Sequence, residues 1–339
     1  MLLKTLPELK AYVATDATTG IPPAIARALG IVETALILPV LGVELATWLQ
    51  AQYDAPGFDA AGTGLAAQLL RAVQAPLARL GAAAGLPGHQ ATIDNTGVHI
   101  LSTDTSKTAF QWQVNQLQAS LQRQGYLDLD ALVQWLEDHA GDSAELQAWA
   151  SSAAGRRHRQ ELFTSTADFQ EYENISASRQ VFQALGPVRR RLERFELARV
   201  LGPDFLQELR DQVRDRTLTA DNENLLRSYV YPALASLTIG HAIPELGLQL
   251  AGDGIELSIA RLDDSNAKES DAGLDQLLAQ KAHTALASAE RYLRHLTSYL
   301  DRTASESRFT SYFNSAAYTA PNQPVVPANT TDSKIYKFC

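Results

Sequence analysis

The sequence predicts a mainly α protein of two tandem related helical modules, each with a β-hairpin, followed by an extended C-terminal arm. Apolar residues recur at helical spacing through most of the 339 residues, Ala and Leu are abundant, and 45% of the chain is hydrophobic. The stretch VLGVELATWL at 40–49 returns as VLGPDFLQEL at 200–209, and its surroundings return with it. Beyond about residue 304 the helical period stops and Ser, Thr, Asn and Pro take over. A chain of 339 residues also suits two cores better than one, because single cores stop growing near roughly 250–300 residues.

The first module is expected over 1–140. A helix from Pro22 to Leu38 ends near the Leu41-Gly42 pair, where glycine allows a sharp reversal, and a second helix follows from Val43 to Tyr53. The third helix contains LLRAVQAPLARL, 69–80, in which Pro76 removes one helical hydrogen bond and should kink the rod. ATIDNTGVHIL then alternates apolar and polar residues about Asn95-Thr96-Gly97, which predicts a hairpin near 91–103. Helices from Lys107 to Gly125 and from Asp128 to His139 close the module, and 141–176 reads as a helical connector.

The second module, 177–304, repeats this order. Ile25, Ala28, Val32 and Ile37 stand against Leu185, Val188, Leu192 and Leu197, and helices are expected from Ser178 to Arg199 and from Pro203 to Arg216. LLRSYVYPALAS, 225–236, places Pro232 opposite Pro76, and LQLAGDGIELSIA predicts a hairpin near 247–262 about Gly252-Asp253-Gly254. Leu129, Leu132, Trp135 and Leu136 match Leu293, Leu296, Tyr299 and Leu300 in the closing helix, Ser270 to Thr303. Gly42 with Gly202, Pro76 with Pro232 and Gly97 with Gly254 answer to local backbone geometry, so they argue for duplication beyond shared amphipathic spacing. Residues 305–339 form the expected arm.

The chemistry-bearing residues do not assemble into a known catalytic pattern. The chain contains no HExxH, Walker loop, GxSxG or CxxC, and the seven histidines, His89, His99, His139, His158, His241, His283 and His295, are scattered. Glu137-Asp138-His139 puts neighbouring side chains on different helix faces, so a metal site is not expected there. The only cysteine, Cys339, permits neither an intrachain disulfide nor a thiolate cluster. No catalysis, cofactor or metal is therefore expected. A formal charge of −9 argues against a dedicated nucleic-acid binder. The longest uninterrupted apolar run, about nine residues from Ala35 to Val43, is short of a bilayer span, and the chain reads as cytoplasmic in the producing cell with no membrane partner.

Two basic clusters interrupt the acidic chain: Arg156, Arg157 and Arg159 around His158, and Arg189, Arg190 and Arg191 with Arg194. They would face passing DNA or pair with carboxylates of this chain or a neighbour. Trp48, Trp112, Trp135 and Trp149 read as core or interface anchors. A lone hairpin is only marginally stable, so Asn95, Gly97, His99, Gly252, Gly254 and Glu256 are expected contact residues. In the arm, Phe309, Tyr312, Phe313, Ile335, Tyr336 and Phe338 are expected to dock on a neighbour. Cutting after Ala304 is then expected to leave both modules folded and to weaken assembly.

LKTLPELKAYV, ILPVLGVEL, the hairpin, TSKTAFQWQVNQLQ, FQEYENISASRQVF, VLGPDFLQEL and the ending DSKIYKF, in this order, resemble an uncharacterised family of tailed phages and prophages. The compact helical start is more loosely similar to the head-to-tail adaptor proteins that form a ring beneath the portal. The resemblance implies a non-catalytic virion component, most simply a connector ring subunit. Its partners would be itself and the portal and tail or neck proteins, with non-specific proximity to DNA, in a virion or phage-like particle assembled in the bacterial cytoplasm. A tail terminator, a collar protein or another ring component of a tail-like injection device fits the same residues. So does a soluble helical scaffold whose kinked helices form a groove for a peptide.

Overall fold

A computed structural model describes residues 1–94, 97–100, 110–246, 248–251, 254–257 and 272–321. The described chain is mainly helical and divides into two compact units, Met1–Arg189 and a second beginning at Arg190. Residues 141–189 thus belong with 1–140, so the stretch read as a connector is part of the first unit.

The first unit opens with α1 (Leu6–Lys10), where Thr5 and Glu8 satisfy each other's backbone N–H groups in a capping box. Next come α2 (Pro23–Val32), a π turn (Glu33–Ile37) and α3 (Leu38–Asp54). The π turn has a sequence cause. Pro39 cannot donate, and its ring would press on the carbonyl of Ala35, which lies inside the widened turn. α4 (Leu65–Gln90) runs through Pro76 and leads to two short antiparallel strands, β1 (Ala91–Asp94) and β2 (Gly97–Ile100), in which Thr92 faces His99. α5 (Gln111–Asp138) is one helix where the sequence suggested two. Gly125 does not end it; a Cβ there would stand 2.6 Å from Leu80 Cγ, so the glycine lets α4 and α5 approach closely.

Short helices complete the unit: α6 (Ala144–Ser151), α7 (Ala153–Arg157), α8 (Thr166–Gln170), α9 (Arg179–Ala184) and the start of α10 (Gly186–Leu192). The helix expected from Ser178 to Arg199 is therefore interrupted at Leu185. One continuous core joins Leu29, Leu45, Leu49, Leu70, Leu77, Leu132, Leu136 and Trp149. Pro23–Asp54 is apolar enough, by length and composition, to cross a membrane, with a mean hydropathy of 1.9 in its most apolar window. Its helix is broken at Gly42, and Leu29, Ile37, Leu41, Leu45 and Leu49 lie buried in the core.

In the second unit a π turn (Glu193–Leu197) leads into α11 (Ala198–Leu201), then α12 (Pro203–Asp215) and α13 (Ala220–Leu225). A third π turn (Leu226–Val230) precedes α14 (Tyr231–Leu246); Ser228, four residues before Pro232, again lies inside it. β3 (Leu248–Ala251) and β4 (Gly254–Leu257) pair antiparallel, with Gln249 facing Glu256. α15 (Ala272–Thr303) packs along α14, and α16 (Thr310–Phe313) packs on α12. The helices carry the described core, and the links that would form the two hairpin turns, Asn95-Thr96 and Gly252-Asp253, lie outside the described residues.

The arm is not extended from residue 305. Tyr312 is 0% exposed and Phe309 is buried, and both pack on Phe205, with ring centroids 6.1 and 5.8 Å away. The Tyr312 hydroxyl donates to Asp301 at 2.8 Å. Three aromatic rings in one cluster supply enough apolar area to fix the segment, although its sequence shows no helical period. Truncation after Ala304 would consequently remove part of the second unit's core.

Candidate functional site

Both units contain a glycine bend held by a short clasp. At Gly42 the backbone turns to φ +73° and ψ 165°, and at Gly202 to φ +77° and ψ 145°, a region that residues with a Cβ avoid. The bend leaves helix-end carbonyls without partners. In a continuous helix the Val40 carbonyl would accept from the residue four on; here the buried Trp149 indole donates to it at 2.9 Å. Ser152 donates to the Trp149 carbonyl at 2.7 Å and accepts from Gly155 N–H at 3.2 Å. In the second unit Ser315 donates to the Tyr312 carbonyl at 2.7 Å and accepts from Ala317 N–H at 3.2 Å. A Cβ on Gly42 would stand 3.0 Å from Ala154 Cβ, and one on Gly202 would stand 3.0 Å from Ser315 Cβ.

The clasp was missed in the sequence, although the signal exists. AWASSAA, 148–154, and SYFNSAA, 311–317, align without a gap and set Trp149 on Tyr312 and Ser152 on Ser315. The segment classed as a connector and the segment classed as an arm hold the same place in their units.

Beside the first bend lies an open groove of about 590 Å³ between α3 and the α6–α7 segment. Its walls are apolar, from Leu41, Leu45, Trp48 and Trp149, and it carries two carboxylates, Glu44 and Glu145. At the corresponding positions of the second unit, Phe205 replaces Leu45 and Glu208 replaces Trp48. Glu208 accepts from Ser311, which stands where the first unit has Ala148. Phe205 packs there on Phe309 and Tyr312, and Glu208 takes the place of the indole.

Three arginines of the basic clusters, Arg159, Arg189 and Arg191, form ion pairs within their units. Arg159 donates through Nε and Nη2 to Glu137 at 2.9 and 2.7 Å. Arg189 is only 3% exposed; it donates to Glu161 at 2.9 Å and to the Phe182 carbonyl at 2.6 Å, and lies 3.9 Å above the Phe182 ring. It is a core residue and not part of a DNA-facing surface. Arg191 pairs with Glu245, whereas Arg156, Arg157 and Arg190 are exposed. Among the described residues the most deeply buried carboxylate is Glu193, 0% exposed, whose Oε2 accepts from both Nε and Nη2 of Arg210, at 3.1 and 2.9 Å. Among the described residues no cluster of metal-ligating side chains is found.

His158 sits under the first cluster. Burial, followed by the positive field of Arg179 and partly offset by Glu137, depresses its pKa to about 4, and its Nε2 has no hydrogen-bond partner. The unfolded chain takes up this proton near pH 6.5, so between about 6.5 and 4 the unfolded state holds more protons than the folded one. The stabilisation is complete above that window and is lost as the pH falls through it, by up to about 3 kcal/mol. Urea denaturation at pH 7.5, 6 and 5 should show this decline, and His158→Gln should make it shallower.

Gly97 and His99 lie in β2, and Gly254 and Glu256 in β4. Asn95, Gly252, Ile335, Tyr336 and Phe338 lie outside the described residues. Phe309 and Tyr312 are buried within the second unit and so are not free docking residues, and Phe313 is half-buried against Tyr318 with ring centroids 4.8 Å apart. Of the tryptophans, Trp149 is core, Trp48 lines the groove, Trp135 stacks on His139 with ring centroids 4.2 Å apart, and Trp112 is exposed.

Comparison with curated proteins and with solved structures finds no match. The sequence of a protein family of unknown function, DUF6712, is matched twice, over residues 37–159 and 197–322. Each matched segment starts near a glycine bend and runs past its clasp, and together they cover well over half of the chain. The chain therefore belongs to the DUF6712 family of unknown function.

Proposed function

We propose that the protein is a structural subunit of a tailed phage or phage-derived particle, a head-to-tail connector or adaptor that forms a homo-oligomeric ring and acts by contact. Its two halves are tandem copies of one helical unit, and each presents a strand pair as a contact finger. The observation that carries this reading is apolar exposure at equivalent places. Near the start of the long helix that follows the strand pair in sequence, the first unit exposes Phe110 (69%), Trp112 (62%) and Leu117, and the second exposes Leu277 and Leu278. Clustered large apolar side chains in water favour association with a neighbouring surface. A ring made of one such chain uses a heterologous contact, one patch against a different patch of the next copy, which closes by rotation. Portal and tail or neck proteins would complete the contacts, and passing DNA would touch exposed arginines non-specifically.

Mass spectrometry of density-banded particles from a strain that encodes the chain tests this. The expected result is the protein at a fixed ratio to the portal, reduced at least tenfold by Phe110→Glu with Trp112→Glu while circular dichroism keeps its helical signal. Particles that lack the wild-type chain would remove the reading. One observation favours a second reading, a helical scaffold that binds a peptide: the open groove beside Gly42.

A further inference from the structure

The groove beside Gly42 and the last residues of the chain are complementary. We infer that the groove of one copy receives the C-terminal segment Lys334–Phe338 of a neighbouring copy, a contact that rests on the ring reading above. The groove presents Leu41, Leu45, Trp48 and Trp149 as apolar wall and Glu44 and Glu145 as its charges. Among the described residues neither carboxylate is in an ion pair. Glu145 stands in the first turn of α6, and Glu44 two residues past the Gly42 break, positions where a helix favours negative charge. The segment KIYKF offers the opposite pattern: Lys334 and Lys337 interleaved with Ile335, Tyr336 and Phe338, at the end of a chain whose formal charge is −9. Two lysines on two carboxylates and three large apolar side chains on an apolar wall give both charge and shape a partner.

Reach and divergence support the same occupant. The described residues end at 321, and Lys334 lies 13 positions further on, enough chain to span up to roughly 43 Å when extended. At the second unit's corresponding place Glu208, engaged with Ser311, stands where the first unit has the Trp48 wall, and Arg308 stands where it has Glu145. Only the first copy of the repeated feature combines an apolar Trp48 wall with the carboxylate of Glu145, the pattern that KIYKF complements.

Cys339 adjoins Phe338 and is the only thiol, so the full-length chain can carry a benzophenone maleimide at that position. Illumination should give a covalent product of twice the chain mass, with the attachment mapped by mass spectrometry to Val43–Trp48 or Glu145–Ala154. Glu44→Lys with Glu145→Lys should reduce that product at least tenfold, and adding Lys334→Glu with Lys337→Glu should restore it. Attachment elsewhere, or loss on charge reversal that the compensating reversal does not restore, would overturn the contact. A groove attachment confined to monomer-sized product would overturn delivery by a neighbour. Groove attachment at twice the chain mass without ring-sized oligomers would keep the contact and remove the ring, whereas rings with attachment elsewhere would do the reverse.

Discussion

A chain ending at Ala304 should fail to keep its second unit folded, whereas a chain ending at Pro321 should keep it. The residues between contain Phe309 and Tyr312, both buried, and their removal uncovers Phe205, 0% exposed in the intact chain, and the Tyr299 ring that stands 6.2 Å from Phe309. Truncating one buried aromatic side chain costs about 3–5 kcal/mol, and two removed together approach the whole stability of a domain, about 5–15 kcal/mol. The clasp over Gly202 goes as well, since Ser315 supplies it. Hydrogen exchange read by mass spectrometry should show α12, α15 and their neighbours losing protection in the shorter chain while α4 and α5 keep theirs. Tyr312→Phe is the mild control. It removes the hydroxyl bond to Asp301 and should cost about 1–2 kcal/mol. Intact protection of α12 in the chain ending at Ala304 would show that the aromatic cluster is dispensable.

Arg210→Ala should destabilise the second unit by about 3–5 kcal/mol, because it leaves a fully buried carboxylate without its forked partner. Glu193 is 0% exposed and accepts two bonds from the same guanidinium, so the loss is that of an ion stranded away from water, beyond one surface contact. Arg210→Lys should recover only part of the loss, since an ammonium cannot present the two parallel donors. Replacing both partners, Glu193→Met with Arg210→Met, should return most of the stability, because apolar side chains of similar size need no partner. Urea melts of the four proteins decide the matter. A double variant no better than Arg210→Ala alone would show that Glu193 is held chiefly by other bonds.

The helical character, the reversal at Gly42 and Gly202, and the apolar face common to both halves were legible in the sequence. Ile25, Ala28, Val32 and Ile37, and their counterparts Leu185, Val188, Leu192 and Leu197, are all buried. Periodicity finds such positions because every turn of a packed helix must bury one. The clasp was harder to see. Trp149 and Tyr312 differ in kind, and Ser-Ala-Ala carries no period, so AWASSAA reads as part of a helical connector and SYFNSAA as part of an extended arm. In the sequence Arg189 reads with its neighbours as facing DNA or pairing with carboxylates of this chain or a neighbour, since sequence does not reveal which turn of a charged helix meets a carboxylate or an aromatic ring. The groove is less legible still. It lies between α3 and the α6–α7 segment, and a surface shared by two stretches far apart in the sequence shows only when the chain is folded.

The widened turn at Glu33–Ile37 sets the rotational phase of everything before it. One residue of an α-helix is worth about 100° of rotation, but a π turn holds about one residue more than an α turn, so excising a single residue there would return the stretch to ordinary α geometry and leave Ile25 and Leu29 aimed at α4. The loss of one residue in this short stretch is therefore milder for the first unit than the same loss within α2 itself, where the full rotation would fall on the face that packs against α4.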